Sequence, residues 1–376
     1  LEQAVRPARR CDLHVIELTL RDFRNYASAE LSLSAGVTVI HGPVGAGKTN
    51  LLEALYFGCV GRSCRTSSDR ELVRFGQRGA HVSVSSMISD VVRRFEVGLE
   101  FVGQRVLKVE NGGDRLALPE SRPTLCVFLP DRLELIKGAA GVRRAHLDTL
   151  VAALWPAREA TRRSYARALA QRNALLSRVR AGSGSLSSLS GWNRELARHG
   201  LELMGARAAA VELLSASFGR HVGDLGLEGE ATLRYHPRST ASTVEQLEAE
   251  LSDISARDVE RGFTTHGPHR DDLSFELDGR GLRRLGSQGQ QRVALLGLLM
   301  AERDALDQVR GELPVLLLDD VLSELDRERR TRLLEALRAG GQTLITTADF
   351  DSVSSAGEGM TSVRVGAGRI DGREGA

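Results

Sequence analysis

Residues 42–49 read GPVGAGKT, and their types and spacing suit the holding of a phosphate chain. Gly42, Gly45 and Gly47 can take positive φ and let backbone N–H groups curl around phosphate oxygens. Pro43, Val44 and Ala46 are the spacers of the pattern GxxxxGK[ST]. Lys48 supplies a point charge for the β- and γ-phosphates, and Thr49 a hydroxyl for Mg2+. VTVIH before the loop reads as a strand, and NLLEALYF, opening at Asn50, reads as a helix. That context separates a phosphate loop from a chance glycine turn.

A second constellation lies far downstream, in PVLLLDDVLSELD at 314–326. An apolar strand ends in two acids. Asp319 is placed to hold Mg2+, and Asp320, one residue on, to orient or activate an attacking water. SELD at 323–326 follows where a chain can touch a neighbouring nucleotide site. TLITTAD at 343–349 is a strand ending in Thr346 and Thr347, suited to a γ-phosphate contact.

Between these motifs stands LGSQGQQR at 285–292, a polar, glycine-bearing loop leading into the apolar run VALLGLLM. Ser287 and Gly289 can offer a hydroxyl and backbone N–H groups at a helix N-terminus, where an anion is favoured. Gln288, Gln290 and Gln291 can reach polar neighbours. The bland alternative is a helix cap by Ser287 with a glutamine three residues on, and the two roles are compatible. The phosphate lysine and the metal acid lie 319 − 48 = 271 residues apart. So wide a gap, filled by helices, resembles ABC-type ATPase heads with SMC-like insertions. In such heads the LSGGQ loop caps the γ-phosphate bound to the opposite subunit, and LGSQGQQR stands in the same order.

The elements that must position these motifs are legible as periodicity. Residues 13–40 alternate apolar and polar as strands, and 80–90, 93–101 and 105–110 read as antiparallel strands. TLCVFLP at 124–130 is a short strand ended by proline. From 141 to about 219 apolar residues recur at helical spacing, broken by the turn GSGSLSSLSG. A third helix is expected at 243–257, strands at 272–279 and 314–320, and a last helix near 327–339. The organisation expected is an N-terminal head part at 12–144, a helical insertion at 145–258 and a C-terminal head part at 259–370.

Composition bounds the function. With 41% hydrophobic and 27% charged residues the chain reads as soluble and globular, and a net charge of +2 means that an anionic partner must meet a local patch. Cys11, Cys59, Cys64 and Cys126 form no CxxC pair, so a reducing cytoplasm is the expected compartment. No apolar run reaches the length of a membrane span, and LEQAVRPARRC lacks the apolar core of a secretory signal.

Several motifs together resemble the RecF family of bacterial recombination mediators. They are LTLRDFRNY (18–26), GPVGAGKTNLLEAL (42–55), GRSCRT (61–66), FLPDRLELIKGAAGVRRAHLD (128–148), THGPHRDDL (265–273), LGSQGQQR and LLLDDVLSELD (316–326). The resemblance implies an α/β fold, a P-loop NTPase of the ABC/SMC-like ATPase-head type with an inserted α-helical lobe. It implies ATP and Mg2+ as cofactors, an ATP-dependent homodimer, DNA binding, slow ATP hydrolysis, and work with RecR and RecO in bringing RecA to single-stranded gaps. It puts residues 42–50 on the nucleotide, with Arg24 and Asn25 reaching it from the N-terminal strands. Ser287, Gln288, Gly289 and Gln290 form the trans loop, and Asp319 and Asp320 the acid pair. Asp320 stands where the ABC pattern has Glu, and a shorter carboxylate suits a slow, switch-like ATPase. No clear Q-loop glutamine is present; Asp131 is the substitute candidate.

For DNA, Arg62, Arg65, Arg70 and Arg74 in GRSCRTSSDRELVRFGQR are the first candidates, and Arg143, Arg144, Arg162 and Arg163 the next. Basic residues without interleaved aromatics favour a duplex held by its phosphates over a single strand held by stacking. His269 in GPHRDD is either part of a structural turn or a sensor. Two other readings compete. A nucleotide-binding subunit of an ABC transporter needs a coupling surface and a loop closer to LSGGQ. A P-loop kinase has no use for LGSQGQQR.

Overall fold

A computed structural model of the chain describes residues 13–88, 91–102, 105–112, 122–338, 340–350 and 359–375. The strands are β1 (Leu13–Phe23), β2 (Tyr26–Ser32), β3 (Val37–His41), β4 (Gly79–Ile88), β5 (Val91–Val102), β6 (Arg105–Gly112), β7 (Leu125–Phe128), β8 (Ala231–His236), β9 (Asp272–Leu277), β10 (Arg280–Gly281), β11 (Val315–Leu318), β12 (Thr343–Thr347), β13 (Thr361–Gly366) and β14 (Arg369–Gly375). The helices are α1 (Lys48–Val60), α2 (Glu134–Lys137), α3 (Ala140–Leu154), α4 (Glu159–Arg180), α5 (Leu189–Asp224), α6 (Val244–Asp253), α7 (Ser255–Arg261), α8 (Leu282–Leu285), α9 (Gln288–Arg310) and α10 (Arg327–Arg338). Cys11 and residues 113–121 lie outside the described residues.

Two compact units form, one of residues 1–132, 224–226 and 302–376, the other of 133–223 and 227–301. In the first, a six-stranded sheet runs β14-β13-β3-β12-β11-β7, and a five-stranded antiparallel sheet runs β2-β1-β4-β5-β6. Strands β7, β11, β12, β3 and β13 are parallel, so their C-terminal ends share one edge. Helix α1 joins the two sheets. Its Leu51, Leu52, Leu55 and Phe57 lie in one buried cluster with Leu18, Leu20, Val82 and Val84 from one sheet and Ile40, Leu317, Leu344 and Val363 from the other. A helix apolar all round belongs between two layers, and truncating Phe57 to alanine would cost about 3–5 kcal/mol.

The second unit is helical with a small sheet, β10-β9-β8. Its division from the first unit differs from the segments expected on composition. Strand β8, which sequence reading passed over, pairs with β9 and carries residues 272–277 into the helical unit. The helix expected at 243–257 is two, α6 and α7. Near the junction Ser252 and Ser255 turn their hydroxyls onto the Glu248 and Leu251 carbonyls, a back-bond that bends helices.

GPHRDD at 267–272 is the knot of this unit. Arg207 donates to Asp148, Asp271 and the Pro268 carbonyl, Arg143 to Asp272, and Tyr235 to Asp271. Nearby, Arg172 is fully buried and satisfied by Asn193, Asp258, Thr264 and the Leu251 carbonyl. His269 takes the structural role. Its Nε2 lies 3.0 Å from the Thr264 carbonyl and its Nδ1 2.7 Å from the Tyr165 hydroxyl, so Nε2–H donates and Nδ1 accepts. Burial pushes its pKa down to about 4.

An imidazole held neutral to about pH 4 binds fewer protons than its unfolded counterpart below about pH 6.5. Stability of the helical unit therefore falls as pH drops from about 6.5 towards 4, by about 3 kcal/mol. Both tryptophans, Trp155 and Trp192, lie in this unit, so urea unfolding followed by their fluorescence reads it directly. His269→Asn is expected to remove that part of the pH dependence; an unaltered slope would refute the assignment.

Candidate functional site: a phosphate loop beside an acid pair

Strand β3 ends in the loop that enters α1. Gly42 has φ 151° and Gly47 φ 115°, where side-chain-bearing residues are strained. A Cβ on Gly42 would overlap the Val365 carbonyl, and one on Gly47 would sit 2.6 Å from the Asn25 amide nitrogen. The outer carbonyls of the loop are tied down. The Ala46 oxygen accepts from Asn25 Nδ2 at 3.1 Å and from the Gly368 N–H at 2.9 Å. The Gly47 oxygen accepts from the Tyr26 hydroxyl at 3.0 Å. In a planar trans peptide N–H and C=O point opposite ways. Pinning these oxygens therefore turns the N–H groups of Gly47 and Lys48 away from Asn25 and Tyr26. Asn50 donates to Asn25 Oδ1, which fixes the clamp.

Lys48 folds its ammonium onto the carbonyls of Gly42 (2.8 Å) and Pro43 (3.0 Å). Burial lowers its pKa, and the charges of Asp320 and Asp319 partly restore it. Thr49 Oγ1 lies 2.8 and 2.9 Å from the two oxygens of Asp319, at the end of β11. Thr346, on β12, donates to the same carboxylate at 2.6 Å and accepts the Asp320 N–H at 2.9 Å. Burial raises the Asp319 pKa despite these bonds. Asp320 sits at φ 48°, and its Oδ1 is buried with no hydrogen-bond partner in the structure. The Thr49 hydroxyl and the Asp319 carboxylate beside a phosphate loop are hard oxygen donors of the kind that Mg2+ takes together with phosphate. The residues present fit that ion.

The other expected site residues divide. Asn25 lies on the loop, as its clamp. Arg24 does not face it. Its guanidinium is bidentate to Glu53, at 2.7 and 2.9 Å, with a third bond to the Glu71 carbonyl. Glu53 is wholly buried on α1 and also accepts from Ser63 (2.6 Å) and Arg65 (3.1 Å). Burial pushes its pKa up, but the bonds from Arg24 and Ser63 and the nearby guanidinium charges outweigh that and leave it low. Sequence reading missed Glu53. Its one signal was an acid inside the apolar run LLEALYF.

Arg65 is thus spent on Glu53 and Asn50, and Arg74 faces Asp22 at 3.5 Å. Arg62 and Arg70 remain exposed, with Arg70 over the Phe101 ring. Arg143 is buried against Asp272, and Arg144 donates to the Asp271 carbonyl, so neither is presented to a ligand. Thr346 serves the acid pair, and Thr347 bonds Asp349, so neither hydroxyl is turned to a phosphate here. The side chain of Asp131 lies outside the described residues.

In the second unit, LGSQGQQR opens α9 with a reciprocal cap. Ser287 Oγ accepts the Gln290 N–H at 3.2 Å, and Gln290 Oε1 accepts the Ser287 N–H at 2.8 Å. Gln291 is buried and donates to the Leu282 carbonyl. Ser287 and Gln288 are exposed. The cap leaves the Ser287 hydroxyl proton, and the first-turn amides of Gln288 and Gly289, for an outside acceptor.

The family model for the AAA domain matches residues 17–118. The DNA replication and repair protein RecF of Chloroflexus aggregans is 37% identical over 374 residues, covering 91% of this chain and 95% of that protein. That of Myxococcus xanthus is 37% identical over 362 residues, covering 92% and 93%. Among solved structures, the recombination mediator protein RecF with ATP, of the RecFOR pathway, is similar with a TM-score of 0.84 at 28% identity, over 97% of this chain and 98% of that one. The Smc head domain from Pyrococcus furiosus shares the fold, with a TM-score of 0.55 at 16% identity over 96% of both chains. No helix among the described residues is long and apolar enough to cross a membrane. An α/β ATPase head built around this phosphate loop and acid pair, with relatives matched over almost the whole chain, places the protein in the RecF family of DNA replication and repair proteins.

Proposed function

We propose that the chain binds ATP and Mg2+ at residues 42–50 and 319, and uses the nucleotide to close a homodimer on DNA. Hydrolysis is slow, stimulated by DNA, and opens the dimer; with RecR and RecO this helps load RecA at single-stranded gaps. The observation that carries the reading is the approach of Thr49 to Asp319, two residues 270 positions apart held within 2.9 Å beside a loop with its carbonyls tied back. Family membership supports the partners.

Each residue has a task. The amides of Gly47 and Lys48 bind phosphate oxygens, and Lys48 leaves its two carbonyls to neutralise them. Thr49 and Asp319 would hold the metal, which when bound would screen phosphate charge. The unpartnered Oδ1 of Asp320 is a base site for the attacking water. A left-handed backbone at Asp320, fixed by Thr346, sets that carboxylate apart from Asp319. Ser287, Gln288, Gly289 and Gln290 serve the nucleotide of the other subunit, whose γ-phosphate completes the cap.

Lys48→Ala is expected to weaken ATP binding at least about tenfold, since a charge-assisted bond is worth about 1.5–3 kcal/mol; unchanged nucleotide affinity in equilibrium dialysis would break the assignment. Asp320→Asn is expected to bind ATP normally and to accumulate as an ATP-bound dimer. A monomer with bound ATP would remove Asp320 from hydrolysis. Light scattering tests the trans role. The wild-type mass doubles with ATP and not with ADP, while Ser287→Arg stays monomeric; a mutant that dimerises normally would leave Ser287 as a cap alone.

A further inference from the structure

Helix α4 carries more net positive charge than any other helix among the described residues. It holds Arg162, Arg163, Arg167, Arg172, Arg178 and Arg180 against one acid, Glu159. Arg172 is buried and neutralised by Asp258. The other five have no carboxylate within ion-pair distance among the described residues, although Glu159 stands one turn before Arg163. Some arginines elsewhere are matched locally. On α10, Arg329 pairs Asp326 and Arg332 pairs Glu328. Helix α5 balances Arg194, Arg198, Arg207 and Arg220 with Glu195, Glu202, Glu212 and Asp224.

The N-terminal half of the arrangement costs stability. Arg163 and Arg167 are like charges one turn apart, and Arg162 and Arg163 lie near the positive end of the helix dipole, whereas Arg178 and Arg180 in the last turn are favoured by it. Arginines at 162, 163 and 167 that work against their own helix point to a use outside it. At 100° and about 1.5 Å per residue, Arg163, Arg167 and Arg178 share an arc of about 60° and a row about 22 Å long. The exposed positions beside them are Ala166, Ala170, Gln171, Ala174 and Ser177, while Tyr165, Ala168, Arg172 and Leu176 form the buried face. Mostly small residues around long cations let a large surface approach closely.

We infer that this arc of α4 is a docking surface for the phosphate backbone of duplex DNA, read without regard to sequence. The inference rests on the DNA-binding part of the proposed function and relocates its contacts. Arg65 and Arg74, in the loop first expected to meet DNA, face Glu53 and Asp22, while Arg163, Arg167 and Arg178 face no carboxylate among the described residues and Arg167 donates to Ser164 on its own helix. A rigid row about 22 Å long spans about six steps of one strand at about 3.4 Å each. It suits a stiff, evenly charged polymer better than a flexible acidic peptide.

The test is fluorescence anisotropy of a 30-base-pair duplex with the full chain and a non-hydrolysable ATP analogue, across a KCl series. Each lost phosphate contact lowers the slope of log K against log[KCl] by about 0.9. The triple variant Arg163→Gln, Arg167→Gln, Arg178→Gln is expected to lower the slope by about 2–3 and to weaken binding at least about tenfold at low salt. The corresponding triple lysine variant keeps the slope, which separates charge from folding. Arg65→Ala leaves the slope near that of wild type. An undiminished slope in the glutamine variant would overturn the inference and leave the proposed function intact. An undiminished slope with lost binding of polyglutamate would assign the arc to an acidic protein, and also overturn it. A wild-type chain that dimerises with ATP yet binds no duplex would remove the DNA reading itself.

Discussion

The structure of the head turns on one buried carboxylate. Asp319 closes β11, Thr49 opens α1, and the two meet because β3, β12 and β11 are consecutive parallel strands whose ends share an edge. Gln342, buried at the start of β12, bonds Val15 on both backbone sides and the Ser34 carbonyl, which ties the antiparallel sheet to the strand next to the site. An acid taken out of water is costly unless its oxygens are bonded. Two threonine hydroxyls meet that cost only in part, since burial still raises the Asp319 pKa. The adjoining Asp320 Oδ1 has no partner, and Lys48 is partly desolvated against carbonyls. The head thus holds opposite charges that a phosphate and a cation, bound together as proposed, would compensate.

Arginine is used in two ways. Part of it acts as internal rivet. Arg24 and Arg65 converge on Glu53 beneath the phosphate loop, and Arg172, Arg207 and Arg143 knit the helical unit through Asp258, Asp271 and Asp272. Guanidinium suits this because its five donors satisfy several acceptors in one plane, where a lysine would leave some bare. Such pairing explains why counting arginines along the chain misplaces a polyanion site: the sequence shows the cations, not their partners.

What was legible in the sequence follows from the range of the interactions. The phosphate loop, the acid pair and most strands and helices are local patterns, with glycine conformation, periodicity and caps all carried by neighbouring residues. The family could be read from their order. The unreadable parts are long-range. Glu53 looks like a flaw in an apolar helix until Arg24 and Arg65 fold over it. Thr346 resembles a phosphate ligand until Asp319 takes its hydroxyl. Strand β8 has too weak an alternation to stand alone and is defined by β9. Arg143 and Arg144 open a helix that looks basic, and only the fold shows their acceptors at 271 and 272.

The composition of LGSQGQQR makes sense when the cap and the proposed trans contact are taken as one demand. A serine that accepts the Gln290 N–H through its lone pair still has a hydroxyl proton to donate. An aspartate would cap as well and repel a phosphate. Glutamate at position 290 would complete the capping box and interact better with the helix dipole, yet its charge would stand beside the incoming anion. Glutamine makes the same bond to the Ser287 N–H without that charge. Glycine at 289 keeps the first-turn amides open to approach. A helix start serving its own helix alone has no reason to exclude acids from all eight positions of the loop; one that must also receive a partner's γ-phosphate does.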